Sequence, residues 1–289
     1  MKRDKILSIV IIVFVILFII ALYAGLNKTD NESDSFSSRD KIALVELKGT
    51  ILSADKFSIQ LKKYRERSDI KALVLRINTP GGGVAASQEI YESVKRFRDS
   101  GKPVVASIAS MGASGGYYAA IGASKIMANP GSITASIGVI ASFPVVHGLL
   151  EMLKIEYKTM KTGQYKDTGS PFRDFTEADS LEMARLIDDL YNQFLDAIVA
   201  ERGIEKNHLK KIADGRILTG LQAFKAGLID TLGTREDAIA LAAQLANLEN
   251  PKVITPGKKK VTMIDLLFED LNETKALLNT EPNLKYILK

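Results

Sequence analysis

Residues Ile70–Ala109 read IKALVLRINTPGGGVAASQEIYESVKRFRDSGKPVVASIA, and this stretch decides the fold. Leu73 to Ile77 form a run of aliphatic residues that reads as a strand. Pro80, Gly81, Gly82 and Gly83 make a turn. Ile90, Val94 and Phe97 then recur at the spacing of one helix face, and Gly101 stands just past its end. PVVASIA, residues 103–109, is a second apolar run. Continuous apolar runs of this kind fit strands that are buried and largely parallel.

The rhythm extends outward on both sides. IALVELKG (42–49) is an earlier strand, and ADKFSIQLKKYRERSD (54–69) is an amphipathic helix leading to the next. A β-α-β-α-β order argues for an α/β fold with helices covering a sheet. Downstream, Thr176 and Asp179 resemble a helix N-cap pair before ADSLEMARLIDDLYNQFLDAIVAERG (178–203). Met183, Ile187, Leu190, Phe194 and Ile198 give that helix an apolar face. LQAFKAGLID (221–230) and REDAIALAAQLANL (235–248) are shorter helical patterns.

Ile6 to Leu26 carry no charge, which matches the roughly 20 apolar residues that span a bilayer core as a helix. Lys2, Arg3 and Lys5 precede the run, so the expected topology is a cytoplasmic N-terminus with the remainder outside. A cleaved signal peptide has a shorter apolar core and a small residue where Leu22 stands, so an uncleaved anchor is expected. The expected organisation is a cytoplasmic end and anchor (1–26), a linker rich in Ser, Asp and Asn (27–40), a main domain (41–249) and a C-terminal tail (250–289). Within the tail, MIDLLFEDLNETKALLNTEPNLKYILK reads as a peripheral helix plus an end.

Composition narrows the chemistry. The net charge of +5 over 289 residues is scattered, so nucleic acid is not an expected partner. Cys is absent, which excludes disulfides, thiol catalysis and thiolate metal sites. Two histidines, His147 and His208, are too few for a His-rich metal centre. Neither a metal nor a cofactor is expected.

Three glycines at a strand-to-helix turn let backbone N–H groups face a ligand, either a phosphate or an oxyanion. A tight connection without a ligand is the plain alternative, and the pattern matches no nucleotide-binding motif. ASMGASGGYYAA (109–120) sets Ser114 beside the N–H of Gly115, as a nucleophile and its oxyanion donor require. The same residues also suit close packing on a sheet. A serine nucleophile needs a base. His147 lies in an apolar stretch and reads as a packed core or interface residue, while His208 reads as solvated. Carboxylates or a lysine remain, and a lysine serves when burial lowers its pKa to roughly 7–8. Lys161 and Lys166 both stand in TMKTGQYKDTGSPFRDFT (159–176), and residue chemistry does not choose between them or separate them from surface lysines. Ser132, Thr134 and Ser136 can hydrogen-bond a buried amine or cap turns.

NTPGGGV, ASMGASGGYY, PGSITASIGV, GQYKDTGSPFR and DGRILTGLQAFKAGLID occur in one order. Together they resemble the bacterial signal peptide peptidase A family, membrane-anchored serine proteases with a Ser–Lys dyad, over about Ile42 to Ala246. The resemblance implies Ser114 rather than Ser110 as nucleophile, Lys166 as general base and Ser136 as its support. It also implies an oxyanion hole drawn from Gly82, Gly83 and Gly115. The implied fold is an α/β core like that of Clp protease and crotonase. In the half-length form of the family, subunits assemble as a ring in which serine and lysine come from neighbouring copies. The implied substrates are signal-peptide remnants and other apolar peptides at the membrane. The apolar end NLKYILK (283–289) is expected to lie in the grooves of such a ring. The competing readings are a crotonase-like acyl-CoA enzyme, which gives Lys166 no role, and a catalytically silent membrane scaffold.

Overall fold

The computed structural model describes residues 40–256 and 285–287, together with position 16. The anchor at 6–26, nearly all of the linker and the expected helix of the tail lie outside the described residues. The chain divides into units of residues 1–39 and 40–289, and the second contains the sheet. Among the described residues, no helix is long and apolar enough to cross a membrane.

β1 (Lys41–Lys48) leads through α1 (Asp55–Glu66) to β2 (Ile70–Thr79), which pairs with β1 in parallel. β3 (Gly81–Gly83) is the glycine turn itself, drawn out as a short strand, and α2 (Val84–Asp99) follows directly. β4 (Val104–Ala113) returns parallel to β2 and runs into α3 (Gly115–Ile121). β5 (Lys125–Ala128) and β6 (Ile133–Ala135) pair with successive parts of β4. The lower part, Val105 to Ile108, takes β5, and the upper part, Met111 to Ala113, takes β6.

The second half is mostly helical. α4 (His147–Met152) is short, and α5 (Glu177–Arg202) is the longest helix among the described residues. α6 (Lys206–Lys210), β7 (Ile217–Thr219), α7 (Gly220–Lys225), β8 (Thr231–Leu232) and α8 (Arg235–Leu245) follow. β9 (Lys252–Ile254) then joins the edge of the sheet beside β1. The order is β7-β6-β4-β2-β1-β9, with β5 and β8 branching from β4. All pairs are parallel except β6–β7, so the sheet is mixed.

The apolar runs follow from burial on both faces. Leu73, Leu75 and Ile77 face one cluster, shared with Ile90, Val94 and Phe97 of α2. Ala72, Val74 and Val105 face the other, closed by Ala238 and Ala242 of α8. Alternate side chains of one strand therefore leave water in opposite directions, which removes the polar half of the strand pattern. Along α5 the burial of the predicted apolar face is graded: Met183, Ile187 and Leu190 are half-buried, and Phe194 and Ile198 are fully buried.

Candidate active site

β4 ends at Ala113 and α3 begins at Gly115, so the chain turns at Ser114. Ser114 takes φ 52° and ψ −113°. A side chain with a Cβ rarely adopts this backbone, which costs about 1–3 kcal/mol and persists only where the surroundings impose it. The surroundings here are specific. The Ser114 N–H donates to the Ala135 carbonyl at 2.7 Å, and the Ser114 carbonyl accepts from the Tyr118 N–H at 2.9 Å. Behind the turn, the fully buried Tyr117 donates its hydroxyl to the Leu228 carbonyl at 2.7 Å. Tyr118 lies 4.6 Å from Phe194, ring centre to ring centre, and meets Tyr91 edge-on at 5.4 Å.

The glycines beside Ser114 are a matter of packing. A Cβ on Gly116 would stand 2.6 Å from Thr79 Cγ2, so β2 and α3 approach more closely than any side chain permits. The tyrosines hold the turn from the other side. Tyr117→Phe leaves a buried carbonyl unpaired and is expected to cost about 1–3 kcal/mol, read as a lower urea midpoint. An unchanged midpoint would show that the Leu228 bond does not brace the turn.

Ser114 is buried, and its hydroxyl has no hydrogen-bond partner among the described residues. The register that pairs Ala113 with Ala135 sets Ser136 beside it. Ala135 and Ser136 take φ of 62° and 50°, and the Ser136 N–H is held by the Arg216 carbonyl at 3.0 Å. The three candidate hydroxyls of this segment separate clearly. Ser132 donates to the Ala109 carbonyl at 2.5 Å and Thr134 to the Gly112 carbonyl at 2.8 Å. Both brace the strand, and Ser136 is the hydroxyl left over.

The glycine turn divides in the same way. Ile51 donates to the Gly81 carbonyl at 2.8 Å, and Gly83 donates to the Ile51 carbonyl at 2.8 Å. The expectation that Gly83 offers its N–H to an oxyanion is corrected by this bond, since the donor is already engaged. Backbone groups of successive strand residues point to opposite sides, so the N–H of Gly82 faces away from Ile51. Only glycine fits there, because a Cβ would lie 2.0 Å from the Ile51 oxygen. Gly115 is the first residue of α3, and its N–H has no acceptor within the helix. On the side of β3 away from Ile51, the C-terminal β10 (Lys285–Ile287) pairs antiparallel, with Tyr286 opposite Gly82.

Lys166 sits in a turn between α4 and α5 and is exposed in the single chain. It makes no ion pair or hydrogen bond among the described residues. Lys161 differs, since its Nζ donates to the Gln164 carbonyl at 2.8 Å and also contacts Asp167. Of the two lysines, Lys166 therefore has the free amine. His147 is not packed in the core. It stands at the surface with Nε2 3.6 Å from Glu151 and Nδ1 3.7 Å from Asp174, because the apolar stretch around it remains open in one chain. His208 is exposed, as its polar surroundings imply. The segment before Lys166 is notably bare, with Met152 82% and Met160 fully exposed.

The sequence model of peptidase family S49 matches residues 96–249. A protease-named protein of Synechocystis sp. is 44% identical over 218 residues, which cover 75% of this chain and 78% of that one. A protease-named protein of Methanocaldococcus jannaschii is 37% identical over 203 residues, 70% of this chain and 65% of that one. A protein of Enterococcus faecium named signal peptide peptidase SppA is 32% identical over 247 residues, 81% of this chain and 72% of that one.

Proposed function

The chain belongs to peptidase family S49, a family of serine-type peptidases, and from that membership we propose a membrane-anchored endopeptidase working through Ser114 and Lys166. One observation carries the reading. Ser114 holds a hydroxyl with no hydrogen-bond partner among the described residues, in a strained turn, next to the N–H of Gly115 and beside Ser136. Strain of this kind is kept where it serves a task, and presenting an oxygen to a substrate carbonyl is such a task.

In the proposed reaction the neutral amine of Lys166 takes the Ser114 proton as Oγ attacks a peptide carbonyl. The N–H groups of Gly82 and Gly115 hold the oxyanion, each worth about 3–4 kcal/mol in the transition state. Lys166 returns the proton to the leaving amine, and water then cleaves the ester through the same steps. Ser136 hydrogen-bonds the lysine and keeps it oriented. No metal or cofactor takes part. Lys166 reaches Ser114 of a neighbouring copy in a ring whose core resembles Clp protease and crotonase. Leu149, Met152 and Met160 are exposed in the single chain, and a neighbouring copy would cover them. Substrates are apolar peptides, including remnant signal peptides, handled at the outer face of the membrane.

The test is covalent labelling. A fluorophosphonate should label Ser114 of the full chain and stop hydrolysis of an apolar peptide. Failure to label or hydrolyse would favour the silent scaffold. A second prediction concerns β10, which occupies the edge of β3 where an extended peptide would add as a strand. Deleting Leu284 to Lys289 frees that edge and is expected to raise the turnover of short peptides. Turnover equal to that of the intact chain would remove any gating role for the C-terminus.

A further inference from the structure

The loop carrying Lys166 has neither helix nor strand from Lys161 to Thr176. Side chains hold it instead, and they converge on one carboxylate, Asp179, in the first turn of α5 and 2% exposed. Its Oδ1 accepts from the Thr168 hydroxyl at 2.5 Å and from Arg173 Nη2 at 3.1 Å. Its Oδ2 accepts from Arg173 Nη1 at 2.6 Å, the Thr176 hydroxyl at 2.7 Å and the Thr176 N–H at 3.0 Å. A helix cap needs only the Thr176 pair. Thr168 and Arg173 add bonds whose effect falls on the loop.

Those bonds bracket the lysine. Arg173 Nη2 also donates to Asp167 Oδ1 at 2.8 Å, and the same oxygen meets Lys161 Nζ. Lys161 in turn holds the Gln164 carbonyl. The residues on either side of Lys166 are therefore tied, through Arg173 and Thr168, to one buried anchor. Rings brace the outer parts of the loop, with Phe143 against Phe175 at 5.3 Å and Tyr157 against Phe172 at 4.2 Å.

We infer that Asp179 is a positioning residue for the Lys166 amine, fixing the path of residues 167–173 so that the lysine is presented in one place. This deepens the Ser114–Lys166 reading and rests on it. The Arg173 guanidinium, with the Thr168 and Thr176 hydrogen bonds, holds the Asp179 carboxyl well below the usual carboxylate range. Arg173 and Lys161 do the same for Asp167. A depressed carboxyl keeps its bonds above its unfolded pKa and loses them only as pH falls through the lower, folded value. The cluster thus stays ionised where the enzyme works, and its protonation does not contribute to pH effects near neutrality.

The experiment uses the full chain, one apolar peptide substrate, and the variants Asp179→Asn, Thr168→Val, Thr168→Ser and Lys166→Ala. A reacting group displaced by about 1 Å loses on the order of 10²-fold in rate. Asp179→Asn and Thr168→Val are expected to lower kcat toward that size while KM stays within about twofold. Thr168→Ser keeps the donor and should keep the wild-type kcat. In a Lys166→Ala background, Thr168→Val should cost nothing further, as expected when one residue acts through another. Should Asp179→Asn not fold, the two Thr168 variants decide the matter alone. A lower melting temperature with wild-type kcat in Thr168→Val would overturn the positioning role. Undiminished activity in Lys166→Ala would instead overturn the dyad, whatever the Asp179 variants do.

Discussion

Ser114→Ala is expected to abolish peptide hydrolysis, a fall on the order of 10⁴-fold or more in kcat, with the fold intact. The size follows from losing the nucleophile rather than a binding contact, since what remains is catalysis by positioned N–H groups alone. Stability should not change. The Ser114 hydroxyl has no partner to lose among the described residues, and alanine meets the same strain at φ 52°. Urea unfolding of the variant should therefore match the wild type while fluorophosphonate labelling disappears. Ser110 is the natural control, being exposed four residues earlier on β4. Ser110→Ala should retain full turnover. Hydrolysis by Ser114→Ala at the wild-type rate would end the proposal.

Lys166→Ala should be as inactive as the nucleophile variant, and the two should rescue each other when mixed in one assembly. A Lys166→Ala copy keeps a sound Ser114, and a Ser114→Ala neighbour supplies the amine. With random mixing at equal amounts, about one site in four receives both groups. No recovery at any ratio would place serine and lysine within one chain, or exclude the lysine altogether. The pH dependence has a definite sign. A cationic amine cannot accept a proton, so activity should fall on acidification. A rate that stays flat from neutral to mildly acidic pH would argue against a lysine base. Asp167 and Asp179, whose bonds hold the loop, do not confuse this reading, because both are held below the usual range by their cationic neighbours.

The elements that were legible in the sequence are those made by near neighbours. Ile90, Val94 and Phe97 are one helix face at any position in a fold, and all three are buried here. The Thr176–Asp179 capping box links residues only three positions apart and forms as its spacing implies. The features that were not legible depend on who sits opposite. Gly82 and Gly83 are alike in sequence, yet only Gly83 has its N–H engaged by Ile51, some thirty residues earlier. Ser132, Thr134 and Ser136 are alike as hydroxyls until β4 claims the first two. Leu181 and Ile198 lie on the same long helix, but the first is exposed and the second is buried.

By itself, the sequence determined that this chain alternates strands and helices around a sheet covered on both faces, because apolar periodicity is a local property of the backbone. Its composition also excluded thiol chemistry and a His-rich metal centre, since it has no Cys and only two His. Only the tertiary structure decided which hydroxyls brace β4 and which glycines pair with Ile51, and that Asp179 gathers the lysine loop. A hydrogen-bonding group is engaged or available according to partners far along the chain. Those partners meet only once the sheet has set its register.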